Sequence, residues 1–370
     1  MTTKAIAILI HDFNSGGTEA TAFRLATAWI ALGHRVTIVA GADRGAMRDR
    51  VPAGADLRLL SPEIPRAATS RLRLGAAMAP VLREVAPDVA YITGNFHFWI
   101  APALRRALPG LPIVAKISNP LLPDLPRVVS GIAQRTLRRL TDAIDVFVAM
   151  SPELATRDRP LIPHRPIRIA PEPNLATDHH VLSREAPPAI PHILAIGRME
   201  RQKNLALALR SFAVLRRDRP ATLTILGDGP QRARLEALAR RLGIAADVAM
   251  PGFVDDIAPH LAAASLLLLT SRYEGFPAAP VEALAADVPV VATDCSPVLR
   301  GLLPTPLHGT IVDHATAPAL AAAMRATLAQ PFTSGGVRPH IVAGYTADAS
   351  ARRYLEIFDE AIALRSCVAR

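Results

Sequence analysis

Apolar and polar positions along this chain follow two alternating rhythms. Short unbroken apolar runs recur from end to end, separated by stretches in which apolar residues return every third or fourth position. The runs read as strands buried on both faces, and the longer stretches as amphipathic helices laid over them. In the first half, strands are expected at residues 5–10, 35–40, 89–93, 113–118 and 146–150, with helices near 99–108 and 129–141. The segment from His11 to Glu19 breaks the first run, a helical pattern follows to Leu32, and Gly33 closes it as a C-terminal cap. Alternation of this kind implies a parallel sheet with covered faces.

A Pro- and polar-rich stretch, residues 171–191, interrupts the rhythm and reads as a linker. The pattern then restarts. Strands are expected at 192–196, 222–226, 248–250, 266–270, 288–292 and 310–312. Helices are expected at 203–216, 231–242, 255–264, 279–286 and 315–329. The amphipathic segment 349–364 is expected to cross back to the first half. Since 370 residues exceed what one core usually organises, the reading is α/β with two Rossmann-like domains. One is residues 1–175 joined by 349–370, the other residues 190–345.

Composition sharpens this picture. Half the residues are hydrophobic but only 4% are aromatic, so both cores are expected to rest on Ala, Leu, Val and Ile. Cys295 and Cys367 show neither a disulfide framework nor metal-ligand spacing, and each is expected to be a small buried residue. His179 and His180 lack a third ligand nearby and read as solvent-exposed. No apolar run approaches the roughly 18 residues of a membrane span, and the N-terminal run is too short for a signal peptide. The expected location is cytoplasmic. The formal charge is +10, and counting residues 1–180 gives 22 Lys and Arg against 15 Asp and Glu. Such an excess suits peripheral contact with an anionic membrane surface on the cytoplasmic face. The clusters at Arg71 and Arg73, Arg105 and Arg106, and Arg135 to Arg139 carry that expectation. Nucleic acid is not an expected partner, because the basic residues lack interleaved aromatics and any binding motif.

The sharpest chemical signal runs from Ser271 to Ala283, between an expected strand and helix. Pro277 near a helix start leaves unpaired amides facing outward, a ready site for phosphate. Glu274 on the loop and Glu282 near the first helical turn can then address one pocket, and carboxylates accept hydrogen bonds from vicinal hydroxyls of ribose or hexose. A second signal is Gly197-Arg198-Met199-Glu200-Arg201-Gln202-Lys203. Here Arg198 and Lys203 bracket a strand-to-helix turn where two cations can converge on one diphosphate. Lys203 is one of only three lysines among 42 basic residues.

These features together resemble glycosyltransferase family 4, of the GT-B fold. The resemblance rests on five motifs in order. They are the Gly16-Gly17 loop, Gly-Arg-x4-Lys (Gly197, Arg198, Lys203), Gly-Asp-Gly-Pro (227–230), Pro-Gly-Phe-Val (251–254) and Glu-x7-Glu (Glu274, Glu282). It implies two domains facing across a cleft and retaining transfer of a hexose-type sugar from a nucleotide-diphosphate sugar, UDP- or GDP-linked. Arg198 and Lys203 would hold the diphosphate, Glu282 the ribose and Glu274 the transferred sugar. Backbone amides near Gly275, Phe276 and Pro277 would contact sugar and phosphate, Phe253 and Val254 would face the base, and Gly16 and Gly17 would approach the diphosphate. The acceptor would be a glycan, a glycolipid or a lipid-linked molecule, and the residues do not distinguish these from one another or from a small metabolite.

Two departures stand out. Relatives often carry a His near residue 118, where this chain has Ser118-Asn119-Pro120. Asn119 can bind a sugar hydroxyl but cannot act as acid or base. After Cys295 the usual Pro-Ser-Gly-Pro-x-Glu is replaced by residues 296–301. No Asp-x-Asp is present, so no metal and no cofactor beyond the donor is expected, the cations stabilising the leaving group instead. Gly-x-Gly-x-x-Gly, Gly-x-Ser-x-Gly and Walker motifs are also absent. The rival readings are a nucleotide-sugar epimerase of similar shape and a catalytically silent nucleotide-sugar-binding protein.

Overall fold

A computed structural model describes residues 2–14, 17–67, 69–119, 121, 127–175, 188–330 and 344–368 of the chain. The chain divides into two compact units, Met1–Thr177 with Tyr345–Arg370, and Asp178–Gly344. His179 and His180 lie outside the described residues.

The first unit runs β1 (Ala5–Ile10), α1 (Gly17–Ala31), β2 (Arg35–Ala40), β3 (Asp56–Leu59), α2 (Ser70–Val85), β4 (Val89–Ile92), α3 (Ala101–Ala107), β5 (Ile113–Lys116), α4 (Arg127–Thr141), β6 (Val146–Ala149), α5 (Pro152–Asp158) and β7 (Ile167–Ile169). The C-terminal helix Ala347–Val368 completes it. Its seven strands are ordered β3-β2-β1-β4-β5-β6-β7, and neighbouring strands pair in parallel.

The second unit runs β8 (His192–Ile196), α6 (Leu205–Asp218), β9 (Thr222–Leu226), α7 (Arg232–Arg241), β10 (Val248–Gly252), α8 (Ala258–Ala263), β11 (Leu266–Leu269), α9 (Ala278–Ala285), β12 (Val290–Thr293), α10 (Val298–Leu302), β13 (Gly309–Val312) and α11 (Ala317–Leu328). Its six strands are ordered β10-β9-β8-β11-β12-β13, again all parallel.

In both sheets the strand order reverses beside the first strand, between β1 and β4 and between β8 and β11. Loops leaving the carboxyl ends of such strand pairs diverge to opposite faces and leave a crevice where ligands bind. His11 to Asn14 and Gly94 to Phe96 leave β1 and β4. Arg198 to Lys203 and Ser271 to Glu274 leave β8 and β11. The fold therefore delivers the motif residues to these two places.

The cores divide the apolar residues unevenly. The second is built from Ala, Leu, Ile, Val and Met with Phe212 as its aromatic member. The first departs from the expectation of an aromatic-poor core. Trp29, Tyr91, Tyr354 and Phe358 are all buried, and the Trp29 and Tyr91 rings meet edge-on at 5.8 Å. The Trp29 indole N–H donates to the Ala351 carbonyl at 3.1 Å. This aromatic cluster fastens the C-terminal helix to the first unit, where the amphipathic pattern placed it. Cys295 is buried as expected, but Cys367 is exposed, the penultimate residue of that helix. No helix among the described residues is long and apolar enough to cross a membrane.

Candidate active site

In the second unit the chain leaves β8 at Gly197, whose N–H still donates to Leu226 at 2.9 Å. The turn that follows is propped from behind. Met199 N–H donates to the Asp228 carbonyl at 2.8 Å, and Gln231 N–H to the Met199 carbonyl at 3.0 Å. Gly227 sits at φ +122°, and a Cβ there would stand 2.3 Å from the Gly197 carbonyl oxygen. Only glycine permits that approach. The Gly-Asp-Gly-Pro motif thus buttresses the loop that carries Arg198 and Lys203.

Lys203 reaches back along that loop, its stem lying against Gly197. Its Nζ lies 2.5 Å from Glu274 Oε1, with the Lys203 side chain 23% exposed and the Glu274 side chain 9% exposed. The Ser271 hydroxyl donates to the same oxygen at 2.7 Å. Glu274 is held at its backbone too, its N–H donating to Cys295 at 2.8 Å. Behind Ser271, the Thr293 hydroxyl donates to the Ser271 carbonyl at 2.6 Å, and the Thr270 hydroxyl donates to Lys203 and Asn204 carbonyls at 3.1 and 3.2 Å. Strands β11 and β12 and the Lys203 turn are therefore tied together at one carboxylate. Burial pushes the Cys295 thiol up to about 12, the Glu274 charge adding to the shift, which keeps this thiol protonated and unreactive.

Arg198 behaves differently. It is 66% exposed and pairs with Glu200 at 2.9 Å, so the two cations expected to converge have separate carboxylate partners. Each has taken the nearest counter-charge. Helix α9 begins at Ala278 with Pro277 as its N-cap, one residue earlier than the pattern predicts. Glu282 is consequently its fifth residue, in the second turn and not the first, and is half-buried. Ala278 and Ala279 carry the amide groups of the first turn, while Pro280 has none to give. Gly275 is buried and its carbonyl accepts from the Ser296 hydroxyl at 3.2 Å, so the divergent residues after Cys295 support this turn. Phe276 is half-buried, Phe253 is 69% exposed and Val254 half-buried. Gly252, just before them, accepts from Gly227 N–H at 2.8 Å, which ties the Pro-Gly-Phe-Val segment to the same loop.

In the first unit Gly16 lies outside the described residues, and Gly17 opens α1. Among the described residues, chain neighbours and the helix's own backbone aside, no atom stands within 4 Å of where a Gly17 Cβ would be, so their packing does not require a glycine there. Asn119 is exposed, and its carbonyl accepts from Asn95 Nδ2 at 2.8 Å. It lines a cavity of about 210 Å³ with Asn14, Glu19, Arg66, Phe96 and His97, many times the roughly 10–15 Å³ one water needs.

The sequence reading missed Glu19, Arg66 and His97. Arg66 donates to Asp12 at 2.6 Å and reaches Glu19 at 3.4 Å. Burial raises the Glu19 carboxyl above its ordinary range, and Arg66 opposes the shift. Burial takes the His97 imidazole down to about 3, with the Arg66 charge acting in the same direction. The His11 backbone N–H donates to His97 Nε2 at 3.2 Å. That fixes His97 as the neutral tautomer with its proton on Nδ1, facing the Thr93 hydroxyl at 3.3 Å. The available signal was position. Asp12 and Glu19 flank the same loop as Gly16-Gly17, and His97 follows β4 beside the strand-order reversal.

A larger groove of about 630 Å³ lies between α2, α3 and the C-terminal helix, beside Asp88 and Pro112. Those residues precede β4 and β5, at the end of the sheet opposite to the motif loops, so size alone does not make it the active site.

The basic clusters also separate. Arg105 is not a surface charge. It is 17% exposed, pairs with Asp145 at 2.6 Å and donates to the Ala143 and Leu111 carbonyls, so it clamps chain segments. Arg135, Arg138 and Arg139 are exposed on α4.

Known proteins match both halves. Residues 15–174 match the family described as Glycosyltransferase Family 4 and residues 190–330 that described as Glycosyl transferases group 1. The chain is 28% identical to the lipopolysaccharide core biosynthesis glycosyltransferase LpsE of Rhizobium meliloti, over 76% of this chain and 77% of that one. It is 33% identical to the N-acetylgalactosamine-N,N'-diacetylbacillosaminyl-diphospho-undecaprenol 4-alpha-N-acetylgalactosaminyltransferase of Campylobacter jejuni. That match spans a third of each chain. Among solved structures, HepE of Anabaena in complex with UDP and glucose superposes with a TM-score of 0.76 at 17% identity, covering 96% of this chain and 99% of that one. With both halves matched in order, and the motif residues gathered at the carboxyl ends of two parallel sheets, the chain belongs to glycosyltransferase family 4, on the GT-B fold.

Proposed function

We propose that the protein is a retaining glycosyltransferase that moves a hexose-type sugar from a nucleotide-diphosphate sugar to a glycan, glycolipid or lipid-linked acceptor, without a metal. The observation that carries this reading is the Lys203–Glu274 pair, a cation and a largely buried carboxylate 2.5 Å apart at the carboxyl ends of β8 and β11. In this assignment Lys203 and Arg198 take the donor diphosphate, and the α9 amides add to their field. Glu274 turns to the transferred sugar and Glu282 to the ribose, while Phe253 and Val254 flank the base. Gly17 at the start of α1 meets the diphosphate, and Asn119 meets a sugar hydroxyl.

The bond from the sugar C1 to the phosphate oxygen breaks, the acceptor oxygen bonds to C1 on the same face, and the acceptor proton passes to the departing phosphate. Positive charge beside that phosphate stabilises the transition state more than the ground state, which is the condition for catalysis. UDP is the favoured nucleotide because HepE was solved with it. A phosphate-bearing lipid carrier is the favoured acceptor, as in the name of the Campylobacter relative. Peripheral attachment to the cytoplasmic face of a membrane fits the basic face of α4.

One experiment tests the reading in its parts. Titration with UDP and GDP, turnover of a donor panel in EDTA, and anomer analysis of the product should show nucleotide binding, transfer without metal, and retention. Loss of transfer in EDTA that Mg²⁺ or Mn²⁺ restores overturns the metal-free assignment, and an inverted anomer overturns retention. Epimerised nucleotide-sugar without transfer favours the epimerase, and binding without turnover favours a silent binder.

A further inference from the structure

Phe96, which lines the first-unit cavity, is 38% exposed and carries two guanidinium groups, that of Arg66 from the lining and that of Arg71 from beside it. The Arg66 and Arg71 guanidinium carbons each lie 4.8 Å from the centre of its ring, so they are no more than twice that distance apart. Arg71 also lies 5.9 Å from the Trp99 ring. The two arginines are not equivalent. Arg66 is neutralised by Asp12 and Glu19. Arg71, among the described residues, has neither an ion pair nor a hydrogen bond, only its two rings.

A guanidinium resting on aromatic faces keeps its N–H edges free while its rotamers are restricted, so it is preorganised to donate two parallel hydrogen bonds. Arg73, two residues on, is also exposed and adds positive charge to the same turn of α2, where acidic residues are absent. Among the described residues Arg71 thus has no carboxylate of its own, and a cation so placed is stabilised by an anion. Besides Phe96 the cavity is lined by Asn14, Thr18, Ser118 and Asn119, groups that suit hydroxyls, and by Glu19, which Arg66 holds, and His97. The arrangement is a polar pocket with one unpaired cation beside it.

We propose that Arg71 binds a phosphate group of the acceptor beside this cavity, with Phe96 and Trp99 holding the guanidinium in place. The inference rests on the transferase reading in taking the first unit as the acceptor side, and it adds that the acceptor carries phosphate next to the sugar that is extended. A bidentate guanidinium–phosphate contact is the stronger class of charge-assisted hydrogen bond, so its loss weakens binding by about tenfold or more.

The test uses the full chain and inorganic pyrophosphate, followed by ³¹P NMR or calorimetry. Pyrophosphate should bind at two places, the donor side and Arg71. Lys203→Ala removes the first, and Arg71→Gln added to it should lower the remaining affinity at least tenfold at an unchanged melting temperature. Arg71→Lys should recover part of that loss, since the charge returns without the fork. Pyrophosphate binding that is equal in Lys203→Ala and in the double variant overturns the proposal, as does its complete loss in Lys203→Ala alone. A Lys203→Ala change without effect speaks against the donor assignment instead, and leaves the Arg71 comparison decisive. The competing source is a lipid headgroup. If Arg71→Gln lowers binding to phosphatidylglycerol vesicles but leaves pyrophosphate binding unchanged, the residue reads the membrane and the proposal fails.

Discussion

The Ser271 hydroxyl donates to Glu274 Oε1, the oxygen that Lys203 Nζ also holds. Both donors sit on one oxygen, which leaves Oε2 to address a ligand. If, as proposed, a diphosphate draws Lys203 away, Ser271 remains to keep the carboxylate aimed. Ser271→Ala should therefore lower kcat by about ten- to a hundredfold, the span of a hydrogen bond to a charged group of about 1.5–3 kcal/mol. The affinity for the free nucleotide should stay within about threefold, because in the proposed assignment Ser271 supports Glu274, given to the sugar, and makes no contact given to the diphosphate. Steady-state kinetics beside nucleotide titration separates these effects. Equal losses in both would show that the substitution merely loosens the loop.

Lys203→Ala and Arg198→Ala should each reduce kcat/KM by at least about tenfold, since leaving-group charge grows in the transition state. The effects should differ in kind. Removing Lys203 leaves Glu274 with Ser271 alone and should also weaken selection among donor sugars. Arg198, exposed and paired with Glu200, should affect nucleotide binding without changing sugar preference. Near-normal activity in both variants would sink the donor-site assignment.

His97 provides a prediction about stability. Its imidazole titrates at about 3 in the folded protein and near 6.5 when unfolded. Between these values the unfolded chain binds more protons, so stability is full above about pH 6.5 and is lost as pH falls. By pH 5 the loss is about 2 kcal/mol. His11, also lowered by burial, adds to it in the same direction. Denaturant unfolding at pH 7.5 and 5.0 should show that His97→Gln removes about that much of the acid sensitivity. An unchanged difference between the two pH values would mean that His97 is not buried neutral.

The central strands of both sheets were legible because burial on both faces demands unbroken apolar runs. The edge strands β3 and β7 were not. β3 is the sequence Asp-Leu-Arg-Leu and largely solvent-facing, and β7 is only Ile167–Ile169. An edge strand needs no continuous apolar run, so neither left a pattern. Helix α2 was obscured by Gly75 and Pro80 inside it. The candidate residues of the second unit, Arg198, Lys203, Glu274 and Glu282, could be singled out because they lie in short motifs beside two turns, though Arg198 and Lys203 have separate partners. The pairing of Lys203 with Glu274, across 71 residues, was not legible. Glu19, Arg66 and His97 were missed for the same reason. They come from three separate elements, and only the parallel sheet brings them to one cavity.

The last prediction concerns the membrane. Of the clusters that suggested contact, Arg105 is engaged with Asp145 and Arg71 lies on Phe96 and Trp99. Arg135, Arg138 and Arg139 remain, all exposed on α4 while Leu137 and Leu140 are buried. Spacings of three and four residues put these arginines on one helical face. Each basic residue near an anionic surface contributes about 1 kcal/mol, so three give reversible docking that salt weakens. Sedimentation with phosphatidylglycerol vesicles should show binding that fades as ionic strength rises. Changing all three to Ser should reduce it by roughly a hundredfold, as about 3 kcal/mol requires, with donor turnover in solution unchanged because none of the three is among the proposed donor-site residues. Equal partition of the native protein onto neutral and anionic vesicles would remove the membrane from the account, and the three arginines would then serve only to keep this face of α4 hydrated.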